Sequence, residues 1–109
     1  MSLDPAAVRA AFAAAVNMDA AELEEWLETP ESLSVGQKKD GALESVGHAA
    51  GRRLVTLLRS DPGALDEDAY RLMRKAVGFI RRHRAQEPAN MVTSRWRYAL
   101  MNWGHDPLK

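Results

Sequence analysis

Apolar residues recur every three or four positions along most of this chain, the period of helices that bury one face. Leu23, Trp26 and Leu27 have that spacing with acids between them, and Leu43, Val46, Ala50, Leu54, Leu57 and Leu58 repeat it further on. The longest stripe, Ala69, Leu72, Met73, Ala76, Val77 and Ile80 with Phe79 at its edge, lasts about three turns. Start and stop signals bound the stripes. Asp4-Pro5 reads as an N-cap with proline at the first helical position, opening a first helix over about 5–16. Asp19-Ala20-Ala21-Glu22 has capping-box spacing for a second, acidic helix that ends at Thr29-Pro30. A third helix is predicted over about 42–59, and a fourth over about 67–84 with Asp66-Glu67-Asp68 at its N-terminus. Thr93 or Ser94 caps a short final helix carrying Trp96, Ala99, Leu100 and Trp103, which Gly104 terminates before Asp106-Pro107. No segment alternates in the manner of a strand. The expected fold is all-α, a compact single domain of about five helices over residues 1–109.

Residues 30–41 hold Pro, Ser, two Gly and Lys38-Lys39-Asp40 without periodicity and are expected to form the longest loop. Gly47 and Gly51 lie four apart inside the third helix, each costing roughly 1 kcal/mol against alanine. Such a pair points to the close approach of another helix or of a ligand.

Composition narrows the class of function. A chain of 109 residues can bury one core, and 46% hydrophobic with 28% charged residues lies in the globular range. There is no cysteine, so no disulfide, thiol nucleophile or cysteine zinc site. No run approaches the roughly 20 apolar residues of a membrane span, and the acidic, alanine-rich N-terminus lacks the basic start of a signal peptide. The expected setting is the cytoplasm, without a membrane partner.

Zero formal net charge conceals an arrangement. Residues 1–51 carry nine acids and three bases, and residues 52–109 carry twelve bases and six acids. This asymmetry is met by a polyanion partner, by the two halves folding on each other, or by a second copy of the chain.

Catalytic and metal chemistry find little footing. His48, His83 and His105 stand apart, without the spacing that places two imidazoles on one metal. His105 follows the final helix, where an imidazolium suits the helix dipole. Glu24, Glu25 and Glu28 read as a solvated face, and no glycine pattern forms a phosphate cradle. No enzyme activity, cofactor or metal is expected.

The bases are the exception. Between Ala69 and Trp103 there are eight of them (Arg71, Arg74, Lys75, Arg81, Arg82, Arg84, Arg95 and Arg97) against one acid, Glu87. Arg71, Arg74, Lys75, Arg81 and Arg82 share about a third of the circumference of the fourth helix, with Gly78 leaving a gap among them for a phosphate backbone. Seven of the eight are arginines, which hold phosphates bidentately. The same stripe is compatible with an unliganded solvated face. Trp96, Tyr98 and Trp103 near Arg95 and Arg97 are either core knobs or stacking platforms for bases.

Several stretches resemble a family of small bacterial proteins described as a domain of unknown function: Asn17-Met18 to Trp26-Leu27, Ser45-Val46-Gly47 into Gly51-Arg52-Arg53, Met73 to Val77, Trp96-Arg97-Tyr98, and Leu100-Met101-Asn102-Trp103-Gly104-His105-Asp106-Pro107. The resemblance implies no catalytic residue. It places Arg52, Arg53, Arg74, Lys75 and Arg97 within the recurring motifs and Arg81, Arg82 and Arg84 outside them, and some members carry a DNA-binding label.

The expected function is DNA binding through phosphates with little sequence specificity, by Arg52, Arg53, Arg71, Arg74, Lys75, Arg81, Arg82, Arg95 and Arg97. No helix-turn-helix signature accompanies it. The alternative is a protein-interaction or homodimerisation module in which the acidic second helix of one chain faces the basic fourth helix of another.

Overall fold

Each helix starts where a short polar side chain replaces a missing helical acceptor. Asp4, Asp19, Thr29, Ser45, Asp66 and Ser94 all have extended backbones and accept a hydrogen bond from an N–H of the following turn. The elements in the computed structural model, which describes residues 4–109, are α1 (Pro5–Ala15), α2 (Ala20–Leu27), α3 (Pro30–Ser34), α4 (Val46–Arg59), a 3₁₀ turn (Pro62–Ala64), α5 (Glu67–Arg84) and α6 (Arg95–Asn102). There is no strand among the described residues, so the fold is all-α. Of the expected domain 1–109, residues 1–3 lie outside the described ones.

Two departures from expectation have local causes. The expected loop contains α3, because Thr29-Pro30 both stops α2 and starts the next helix: Pro30 takes its first position and Thr29 caps it. The third predicted helix begins at Val46 rather than near Ala42, since Ser45 supplies the cap by accepting from the His48 N–H. Leu43, expected on its buried stripe, lies before the helix and is 96% exposed.

Tertiary packing joins two helix pairs through a third element. α1 lies on α5 and α2 on α4, while α6 contacts α2, α3, α4 and α5. One apolar cluster runs through the whole, from Val8 and Phe12 to Leu100 and Trp103. The radius of gyration of 13.6 Å is that of a single domain of this length, for which about 13 Å is usual. Gly51 permits the crossing of α4 and α6: an added Cβ would stand 2.4 Å from the Asn102 carbonyl oxygen and 2.8 Å from Leu27. Of the two readings of the glycine pair, close helix approach holds at Gly51.

The C-terminal segment is a clamp. Gly104, at φ +83°, turns the chain out of α6 and its carbonyl accepts from the N–H groups of Asn17 and Met18. Asn17 and Asp106 exchange two hydrogen bonds, the Asn17 amide donating to the Asp106 carbonyl at 2.9 Å and the Asp106 N–H to Asn17 Oδ1 at 2.8 Å. The motif Trp103-Gly104-His105-Asp106-Pro107 therefore fastens the α1–α2 junction to the end of α6.

Candidate nucleic-acid interface

The outer face of α5 follows from its inner one. Leu72, Met73, Ala76, Val77 and Ile80 are buried, which turns Arg71, Arg74, Lys75, Arg81 and Arg82 outward, and all five are exposed. Their electrostatic states differ. Arg71 is paired with Asp68 at 3.1 Å across one turn. Arg74, Lys75, Arg81 and Arg82 have no carboxylate within ion-pair distance among the described residues. Arg74 and Arg81 border a groove of about 270 Å³ between α1 and α5, with Gly78 in its floor and Asp4 at its rim. The Arg82 guanidinium folds over Gly78, within 2.9 Å of where a Cβ would be, so the expected gap is filled by a cation of the chain itself.

The remaining candidates are dispersed. Arg52 is bound by the Glu44 carboxylate on the α2–α4 side of the molecule. Arg53 lies in a shallow groove beside Asp66 and Asp68. Arg95 is exposed, donates to the Ser34 carbonyl at 2.9 Å and faces Lys75 across a separate pocket. Arg97 is only 21% exposed and grips Asp106 through Nε and one terminal nitrogen, at 3.2 and 3.1 Å, while also donating to the Val92 carbonyl. Partial burial raises the Asp106 carboxyl, but the hydrogen bonds from Arg97 and the Leu108 N–H, with the charges of Arg97 and Lys109, outweigh it and hold the group below its ordinary value. The structure thus brings Arg74, Lys75, Arg81 and Arg82 together, with Arg71 alongside, and separates Arg52, Arg53 and Arg97 from them.

The acidic half is partly neutralised within the chain. α2 packs on α4, where Glu24 meets Arg59 at 2.8 Å, and Glu22 meets Lys109 at 2.8 Å. Both carboxylates lie below their ordinary values because of these hydrogen bonds, led by Lys109 for Glu22 and by Arg59 for Glu24.

The histidines are tied into the scaffold. His48 is buried, with its ring nitrogens against the Leu27 carbonyl and Glu44. His105 Nδ1 faces the Ala15 carbonyl at 2.6 Å and Nε2 faces Arg84 at 3.1 Å. A carbonyl only accepts and a guanidinium only donates, so this ring is the neutral Nδ1–H tautomer. The expected imidazolium at the helix end is therefore replaced by a buried neutral ring, and burial foremost, with the Arg84 charge, holds its pKa down against the Ala15 bond. Burial likewise lowers His83, opposed by the nearby Trp96 backbone; separately, the His83 main-chain carbonyl accepts from the Trp96 indole N–H. With both folded pKa values depressed, the unfolded chain takes up these protons first. The stability contribution is full above the unfolded value of about 6.5 and is lost as pH falls through it towards the folded values. Urea midpoints should therefore decline from about pH 7.5 to about pH 5.5, and a His105→Asn variant, less stable throughout, should decline less over that interval.

Sequence reasoning passed over Asn102. It is 1% exposed; its Oδ1 accepts from the Trp26 indole N–H at 2.7 Å and from the Ser32 hydroxyl, and its amide donates to the Ser32 carbonyl at 3.0 Å. A lone Asn at the end of a helix with an apolar face was the available signal.

Among the described residues no helix is long and apolar enough to cross a membrane, and no three metal-ligating side chains gather. No curated protein and no solved structure matches the chain. One family pattern does, over residues 11–101, and by that match the chain belongs to the family described as a protein of unknown function (DUF3140).

Proposed function

We propose that this is a cytoplasmic nucleic-acid-binding protein, DNA being the first ligand to test, that holds phosphates on the outer face of α5. The observation that carries the reading is the unpaired state of Arg74, Lys75, Arg81 and Arg82 on one exposed face, when Arg52, Arg59, Arg71, Arg97 and Lys109 each have a carboxylate. Arg74 to Arg82 spans about 12 Å along the helix axis, at ~1.5 Å per residue, long enough to meet successive phosphates. Zero net charge weakens long-range attraction, so binding is of moderate affinity and strongly salt-dependent.

Anisotropy titrations of a short labelled duplex at several salt concentrations test it. Log affinity should fall with log salt at a slope of about −3, and Arg74→Ala with Lys75→Ala should reduce that slope by roughly two units. Arg59→Ala, which removes a cation already paired with Glu24, should leave the slope unchanged. Absence of binding at low salt, or a slope indifferent to the double substitution, would overturn the reading. The acids of α2 that a homodimer would use already include two paired within the chain, Glu22 and Glu24, which leaves that alternative with less to act on.

A further inference from the structure

Between the ends of α3 and α4 and the facing sides of α5 and α6 lies a pocket of about 570 Å³, within the roughly 300–1,000 Å³ range of small-molecule sites. Its wall is aromatic. The rings of Phe79 and Trp103 stack at 4.9 Å, Phe79 also stacks on His83 at 4.9 Å, and Trp96 and Ala99 complete the α6 side. Its polar lining consists of neutral side chains, Gln37, Gln86, Asn102 and His83 with a buried unpartnered Nε2, and of two cations. Lys75 and Arg95 stand at its border, both exposed and neither paired with a carboxylate among the described residues.

One further feature points to a ligand. The indole N–H groups of Trp26 and Trp96 are bonded to Asn102 Oδ1 and the His83 carbonyl, whereas that of Trp103 has no hydrogen-bond partner among the described residues. It packs over Gly47, where a Cβ would come within 3.0 Å of Trp103 Nε1 and crowd the indole edge. The Asn102 amide, also in the wall, is spent on Ser32 and Trp26 and is not free to read a ligand.

We infer that this pocket binds a small aromatic carboxylate, its flat apolar body against Phe79, Trp96 and Trp103 and its anionic group between Arg95 and Lys75. A free nucleobase is the poorer fit, because a neutral ring leaves both border cations without a counter-charge, whatever its edge draws from Gln37, Gln86 or His83 Nε2. The inference is separate from nucleic-acid binding, although Lys75 borders both sites, so Arg95 is the residue that tells them apart.

The experiment follows the three indole N–H resonances of the intact chain by NMR during titration with 2-naphthoate. The Trp103 signal should shift saturably while that of Trp26 stays in place. The neutral isostere 2-acetylnaphthalene should bind about tenfold more weakly, as loss of a charge-assisted hydrogen bond implies, and Arg95→Gln should weaken naphthoate by a similar factor. Ala99→Phe, filling the pocket in a protein shown by thermal melting to be folded, should abolish the shift. An unsaturable or absent shift, equal binding of the neutral isostere, or indifference to Arg95→Gln would overturn the site. Tighter binding of adenosine monophosphate than of naphthoate would overturn the choice of occupant.

Discussion

Gly51→Ala should lower the unfolding free energy by about 2 kcal/mol, although alanine is the better helix former by roughly 1 kcal/mol. The new methyl group would lie 2.4 Å from the Asn102 carbonyl oxygen and 2.8 Å from Leu27 Cδ2. The first is backbone, so relief requires moving the end of α6, which carries Asn102, Trp103 and the Gly104 turn. Overpacking of this kind costs roughly 1–3 kcal/mol and occasionally more, enough to outweigh the propensity gain. For a domain of this size a loss of about 2 kcal/mol lowers the melting temperature by roughly 10 °C. Gly78→Ala makes the control because its sign is opposite. There the Cβ meets only the flexible tip of Arg82, and the helix should gain about 0.5–1 kcal/mol. Equal melting temperatures for Gly51→Ala and the parent chain would refute the close crossing.

Asn102→Ala should cost about 3 kcal/mol, read from urea denaturation. It removes three hydrogen bonds joining α6 to α2 and α3 and leaves the Ser32 hydroxyl and carbonyl without partners in a site where Ser32 is 0% exposed. Unsatisfied buried groups carry their full desolvation penalty, so the loss exceeds that of removing an N-cap such as Ser94, about 1 kcal/mol. Pairing the change with Ser32→Ala should return part of the stability, since one of the orphaned groups is then gone. A double variant less stable than the sum of the two singles would contradict the network.

Much of the fold was legible because its determinants are local. Asp66 caps a helix at 67–84, the range expected from its pattern, Ser94 is the one of the two expected caps that opens α6, and Gly104 turns the chain as a glycine after a helix does. Local signals misled where they carried two meanings. Pro30 was a stop for α2 and equally a start for α3, and Leu43 matched the stripe of α4 from a position before its cap.

The candidate site was legible only in part, and the reason is range. An amphipathic period places Arg74, Lys75, Arg81 and Arg82 outward whatever the rest of the chain does, because side chains three and four apart share a helix face. Whether a cation stays available depends on carboxylates far along the chain. Glu24 reaches Arg59 and Glu22 reaches Lys109, while Arg97, inside a motif that looked like part of the site, is consumed by Asp106. By itself the sequence determined the helical class, the caps of most helices and the basic face of α5, all set by interactions within a turn or two. The tertiary structure alone decided which charges are cancelled, why Gly51 is a glycine, and that aromatic residues from α5 and α6 enclose a pocket, because ion pairs, crossings and cavities exist only once distant segments are packed together.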